Sequence, residues 1–476
     1  MKRWKKFCVV GIVGVLAFAL TGCGQQAEEV IGEVEEISVS GNGMDTGKET
    51  VSGNEVISGI GTTSGNEIFP GNEVVQENTM SPEDEAMSEA AEGGGEPNTE
   101  TKPLRPEPPK VKGIYVSGPI AGHSRMEELI ALVEETELNA MVIDIKNDDG
   151  RITYKMQSDT VLEIGAGINY IRDIEALVAK CKEKDIYLIA RIVAFRDPYL
   201  AEKKPELAIR TTSGAIFRDK DGLAWVNPYN KEVWDYLMEV SAEAAEVGFD
   251  EIQFDYIRFS TEAKEGRVDF GPEAEGISKT EIITEFTEYA YEQLAPLGVY
   301  VSADVFGTVI DNEYDQTIVG QDYAAMAEHL DYICPMVYPS HYANGVYGIK
   351  VPDAQPYDTI YAASQASVEA LSRLEGVSQP EVTYRPEQKV RVWLQSFTAS
   401  WVPGHISYGP EAIRAQIKGA YDAGYEEWIL WNAGMKYQPD SLLTDEESEA
   451  ERAKWDAEKK AEEPEQVDKK VDANQE

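Results

Sequence analysis

The chain has 476 residues, with 43 Lys and Arg against 86 Asp and Glu, a formal net charge of −43. An apolar fraction of 42% is enough for a large core and excludes wholesale disorder. So acidic a chain is unsuited to nucleic acid, and equally to an anionic polymer drawn in by long-range electrostatics. Four Cys with no CxxC pair exclude a disulfide scaffold and a structural zinc site. Four His (His123, His329, His341, His405) with no HxxH or HExxH argue against a His-based zinc hydrolase.

At the N-terminus, Lys2, Arg3, Lys5 and Lys6 precede an apolar run over 7–20. The run is too short for a comfortable membrane span and has the length and flanks of a secretory signal. It ends in Leu20-Thr21-Gly22-Cys23, which resembles the bacterial lipobox. The expectation is a signal peptide over 1–22 and a lipidated Cys23, placing the protein outside the cytoplasmic membrane as a lipoprotein.

Residues 24–100 carry eighteen acids and one base, Lys48. A short repeat recurs in Ser52-Gly53-Asn54-Glu55-Val56 and Ser64-Gly65-Asn66-Glu67-Ile68. This composition cannot bury a core. Pro103, Pro106, Pro108 and Pro109 follow, so 23–110 reads as a disordered acidic and Pro-rich tether. The stretch 444–476 is almost wholly polar and reads as a charged, partly helical tail.

Between them, 111–443 alternates short apolar runs with longer amphipathic ones. The strand-like runs are 113–117, 140–146, 186–192, 251–256, 299–305, 332–338, 390–397 and 427–432. Helix-like segments fall near 125–137, 169–183, 229–247, 279–295, 318–330, 360–374 and 410–423. Val233, Leu237, Val240 and Ala244 show the helical spacing well. Strand–helix alternation counted to eight predicts a (β/α)8 TIM barrel, an α/β fold. A doubly wound sheet is the alternative, but no GxGxxG follows a strand.

In such a barrel the polar residues at strand carboxyl ends mark the active site. Alternation brings Asp144 and Lys146 to one face of the second strand, and Arg191 inward on the third. It does the same for Gln253 and Asp255 on the fourth, and for Ser302 and Asp304 on the fifth. Tyr338, Gln395 and Trp431 or Asn432 end the last three. Two carboxylates with cations, amides and aromatic rings suit glycoside hydrolysis, in which one carboxyl is the acid and the other the nucleophile or base. Asp255 is the candidate nucleophile or base and Asp304 the candidate acid. Asp144, Lys146, Arg191, Gln253, Tyr338, Gln395 and Trp431 are the candidate substrate-binding residues. Trp225, Tyr229, Trp393 and Trp401 are further candidates for stacking on sugar rings.

Residues from about 112 to 440 also resemble the glycosyl hydrolase domain of bacterial surface proteins, a domain of unknown function. The matching stretches are Lys112-Gly113-Ile114-Tyr115, Val142-Ile143-Asp144-Ile145-Lys146 and Ala190-Arg191-Ile192-Val193-Ala194-Phe195. Trp225-Val226-Asn227-Pro228-Tyr229, the run from Gly248 to Phe259, and Pro335-Met336-Val337-Tyr338-Pro339-Ser340-His341-Tyr342 match as well. The resemblance implies a TIM-barrel hydrolase related to the α-amylase and chitinase barrels. It aligns Asp255 with the amylase nucleophile, but Gln253 stands where amylases carry Arg and Asp304 where they carry Glu. Of the chitinase pattern DxxDxDxE, Asp250 and Asp255 are present, and Ile257 takes the place of the catalytic Glu. The reading is a lipid-anchored hydrolase of an extracellular or cell-wall polysaccharide, monomeric, without metal or cofactor. Its alternative is a non-catalytic carbohydrate-binding surface lipoprotein on the same scaffold.

Overall fold

The computed structural model describes residues 107–373 and 389–462. The readings of the signal, Cys23 and the tether up to 106 lie outside the described residues, as does the end of the tail. Eight parallel strands form the centre: β1 (Lys112–Val116), β2 (Ala140–Lys146), β3 (Tyr187–Val193), β4 (Glu251–Asp255), β5 (Tyr300–Phe306), β6 (Tyr332–Met336), β7 (Val392–Gln395) and β8 (Trp428–Trp431). Each pairs with the next, and β8 pairs back onto β1 with Lys112 beside Trp428. The ring is therefore closed, a (β/α)8 barrel as the alternation predicts.

The helices that follow the strands are α1 (Arg125–Glu135), α2 (Ile174–Lys182), α3 (Lys231–Val247), α4 (Lys279–Leu294), α5 (Tyr323–Glu328), α6 (Pro356–Ser372), α7 (Pro410–Asp422) and α8 (Asp445–Glu462). Their limits follow local chemistry. Asn230 caps α3 by accepting the Glu232 amide, and Gly248 ends it at φ 113°, a left-handed conformation that favours glycine. Ser278 and Glu281 form a reciprocal capping box on α4. Val233, Leu237, Val240 and Ala244 of α3 are buried against the strands, as their spacing requires. The expected helix near 169–183 is shorter, because Gly167–Ile171 pairs as a strand with Ile152–Tyr154, which extends the sheet from the end of β2.

The stretch read as a charged, partly helical tail carries α8, which is docked against α7. Its Trp455 ring meets Tyr421 at 6.1 Å and its Arg452 lies 4.1 Å over the same ring. Ser448 donates to the buried Glu137 at 2.5 Å, and Glu451 pairs with Arg414. One aromatic residue and a few polar anchors hold this helix, so no apolar periodicity announces it.

At the amino end of the barrel a polar layer fills the interior. Glu251 receives Arg391 Nη1 at 2.7 Å, Ser302 Oγ at 2.5 Å and Tyr187 Oη at 3.1 Å. Arg391 also reaches Glu427 at 3.0 Å and lies 4.0 Å over the Tyr332 ring. All three charged groups are buried. Removing one member leaves the others uncompensated, so Arg391→Ala should destabilise the protein by about 3–5 kcal/mol. Urea unfolding of the variant checks this, and a loss below about 1 kcal/mol would mean that the layer contributes no specific pairing.

Candidate active site

The barrel interior is lined by alternate strand residues, and the register places Asp144 beside Arg191 and Arg191 beside Gln253. One step higher on β4 and β5, Asp255 and Asp304 project inward from neighbouring strands. Arg191 sits at the centre of the mouth. Its Nη1 donates to Asp144 Oδ1 at 2.7 Å. Its Nε and Nη2 donate to Asp255 Oδ2 at 3.0 and 2.6 Å. Asp148, on the turn after β2, lies 3.4 Å from Nη2. Asp255 Oδ1 accepts the Tyr256 amide at 2.6 Å. Three donors converge on Asp255, two from the Arg191 guanidinium and one from the Tyr256 amide.

Asp304 is in the opposite situation. It is 2% exposed, and its Oδ1 accepts Trp393 Nε1 at 2.6 Å. Burial first, and then the negative charge of Asp255, hold its carboxyl well above the usual range. Burial likewise pushes Asp144 up to about 6, against the pull of Arg191. Tyr115 Oη donates to Asp144 Oδ2 at 2.6 Å. The mouth thus sets a guanidinium-bound carboxyl against two whose pKa values burial raises, Asp304 more than Asp144.

Aromatic rings form one wall. Tyr115 stacks on Trp431 at 6.2 Å and 24°, and Trp431 meets Tyr338 at 6.0 Å and Phe397 at 5.4 Å. Phe397 in turn stacks on Trp401 at 6.0 Å and 15°. Trp431 and Trp401 are half-buried, leaving ring surface for a sugar. Beside Tyr338, burial lowers His341 to about 4, so its imidazole is neutral, and Nδ1 lies 3.0 Å from Ser340 Oγ.

Several expected site residues lie elsewhere. Lys146 does not share a face with Asp144, because a register shift after Asp144 puts Lys146 opposite Ile192. It is fully buried behind the barrel wall, 2.7 Å from Asp197 and 2.6 Å from the Val193 carbonyl it donates to. Gln253 lies below the mouth, fully buried, donating to Cys334 Sγ at 3.4 Å. Gln395 is spent on structure. It accepts the Ser340 amide at 3.0 Å and donates to Asp353 at 3.0 Å, clamping the long β6–α6 connection. Trp225 and Tyr229 are buried: Trp225 donates to Asp219, and Tyr229 packs against Phe259 and Phe270. Trp393 is also buried, beneath Asp304. Asp250, which matches the chitinase pattern, sits before β4 at the opposite end of the barrel, paired with Lys182. Tyr256 leaves the strand at φ 49° instead of facing the helices, and its Oη accepts from Arg196 at 2.9 Å.

The contribution of Tyr115 was not anticipated. Its signal was parity on β1, where it alternates with Ile114 and follows Gly113 on the inner face. The described cysteines, Cys181 and Cys334, are free and buried. Among the described residues no group of three or more His, Cys, Asp or Glu is arranged to hold a metal ion.

A closed parallel barrel with an acidic, aromatic mouth at its strand carboxyl ends defines the class of TIM-barrel domains. Residues 113–437 match the family described as "Putative glycosyl hydrolase domain", and the chain belongs to it. A hypothetical protein of Ruminiclostridium thermocellum is 43% identical over 40% of this chain and 97% of its own, with a TM-score of 0.38. The glycoside hydrolase domain of PgaB (BpsB) from Bordetella bronchiseptica is 14% identical over 72% of this chain and 98% of its own, with a TM-score of 0.50. A class V chitinase of Pseudomonas fluorescens is 12% identical over 70% and 98%, with a TM-score of 0.42. No curated protein matches.

The raised pKa of Asp144 has a measurable sign. The folded value of about 6 exceeds the ordinary 3.8, so protonation favours the fold. That stability is complete below about pH 4 and is lost as pH rises through 6. The unfolding free energy of Asp144→Asn should therefore gain on wild type between pH 4 and 7. A difference that stays flat across this window would assign Asp144 an ordinary carboxylate pKa.

Proposed function

We propose that the protein is a lipid-anchored, extracytoplasmic glycoside hydrolase acting on an extracellular or cell-wall polysaccharide. The observation that carries the reading is the contrast between Asp255 and Asp304. One carboxyl is bound by the Arg191 guanidinium, and the pKa of the other is raised by burial and by its neighbour's charge. Two carboxyls driven apart in this way are what a glycosidase needs, one to donate a proton and one to act as nucleophile or base. Asp304 protonates the glycosidic oxygen. Asp255 then attacks the anomeric carbon or activates a water. Arg191, itself tied to Asp144, holds Asp255 in place, while Trp431 and Trp401 receive the sugar face.

Both roles are open to a direct assay. Intact protein is incubated with peptidoglycan and a polysaccharide panel, and released reducing ends are counted. Asp304→Asn and Asp255→Asn should each fold and lower kcat by roughly 10²–10⁴-fold. Wild-type turnover in either variant rejects the role given to that residue.

A second reading has one observation in its favour. Both oxygens of Asp255 are already engaged, Oδ2 by Arg191 and Oδ1 by the Tyr256 amide. A barrel that binds glycan without cutting it would tolerate this. Glycan affinity without product release would select that reading.

The membrane attachment rests on Leu20-Thr21-Gly22-Cys23 and the basic, apolar segment before it. Metabolic labelling with radioactive palmitate should mark the wild-type protein and not Cys23→Ser. Equal label in both would remove the anchor from the proposal.

A further inference from the structure

Three arginines are buried among the described residues: Arg191, Arg258 and Arg391. Arg191 and Arg391 are each bound by carboxylates at 3.0 Å or less. Arg258 is 5% exposed and has no carboxylate at ion-pair distance among the described residues. Its one hydrogen bond runs from Nη1 to the Phe259 carbonyl at 3.0 Å. Four of its five N–H groups thus lack a protein acceptor. The guanidinium is instead boxed by rings, 4.4 Å from Phe306, 4.9 Å from Tyr256 and 5.0 Å from Trp225. Rings stabilise a cation through their faces but accept none of its in-plane hydrogen bonds. Burial accordingly lowers Arg258 to about 10, opposed by the charges of Tyr256 and Asp255.

The position is as informative as the unmet donors. Arg258 is three residues beyond Asp255, the last residue of β4. Phe306 ends β5, and both Phe306 and Tyr256 are half-buried at the rim. The neighbouring Arg196 is already engaged, by Tyr256 Oη at 2.9 Å and by Asp148 at 3.7 Å. The unmet donors of Arg258 are not sealed from solvent, so an anion can take the place of water there, and a carboxylate matches the fork with two parallel bonds.

We propose that Arg258 forms an anion subsite at the barrel mouth and receives the carboxylate of an acidic sugar of the glycan. The proposal rests on the glycan-binding reading above and narrows it to carboxylated glycans. The carboxylate comes from a uronic acid or from a lactyl ether of the muramic type. The net charge of −43 does not oppose such a local contact. Charges beyond about 8 Å are largely screened at physiological salt. They slow a polyanion's approach, whereas one spaced carboxylate is read at contact.

The test is calorimetric titration of the intact protein with matched ligand pairs. One arm uses oligogalacturonides, alginate oligomers and hyaluronan oligomers against their carboxyl-reduced forms. The other uses amidase-stripped peptidoglycan strands against carboxyl-reduced strands. In at least one arm the acid should bind about tenfold or more tighter than its neutral form, and that arm names the source. Arg258→Gln should bring the ratio close to one without changing affinity for the neutral form. If that variant does not fold, Arg258→Lys, which keeps a cation but loses the planar fork, decides the question by lowering the ratio. Glycans bound with no preference for the acid, or a preference that survives in Arg258→Gln, overturn the subsite and leave the glycan reading intact. Binding of no glycan in either arm overturns both.

Discussion

The mouth of this barrel is organised around one guanidinium. Arg191 joins Asp144 on β2 to Asp255 on β4, and it can do so because β3 lies between them in register. The fork holds two carboxyl groups that would otherwise be driven apart by their own charge and by loss of water. Everything else at the site is set relative to it. Arg191 grips Asp255 through Nε and Nη2, and burial first, then the charge of Asp255, raises the pKa of Asp304. Asp144, tied to the same cation, is buried deeply enough that its own proton is retained to higher pH. A lysine in that place would offer a point charge with no fork, and could not span both neighbours in a fixed plane.

Much of this was legible in the sequence, because barrel geometry converts strand parity into direction. Arg191, Asp255 and Asp304 are inside as alternation requires, and the eight runs became the eight strands. Lys146 shows where the rule stops. Alternation assumes an unbroken ladder, and a single irregularity after Asp144 sends the next charged side chain to the far side of the wall. Gln395 failed for another reason. It faces inward, but a turn 55 residues away consumes its amide, and no local pattern reports such a partner. The amino-end layer was hidden in the same way. Glu251 occupies an inward position on β4, yet its partner Arg391 and that arginine's second carboxylate, Glu427, sit just before β7 and β8. The docking of α8 was missed because its anchors are Trp455 and polar side chains spread over a charged helix.

Polar residues inside the barrel therefore fall into two tiers with different consequences. The lower tier is nearly closed: Glu251, Ser302, Tyr187, Arg391 and Glu427 bond to one another and are buried, although Arg391 Nη2, 3.0 Å from Glu427, makes no aligned hydrogen bond. The upper tier is left incomplete. Asp255 keeps some exposure, with 13% of its side chain accessible, and Arg258 has donors to spare. Closed networks fix a fold, whereas open valences at a rim are where a ligand can contribute.

The closure of the ring has a further meaning for how the molecule is made. Lys112 lies beside Trp428, the Val111 amide donates to Glu427, and Tyr437 Oη donates to the Tyr115 carbonyl. The first strand is thus sealed by the last, across more than three hundred intervening residues. Such a seam cannot form on the ribosome until nearly the whole chain has been synthesised. Tyr115 and Trp431, neighbours in the aromatic wall, come from the two sides of that seam. A nascent chain that has built seven strands still exposes an open edge and owns only part of its mouth, so biosynthesis completes the fold and the site in a single late event.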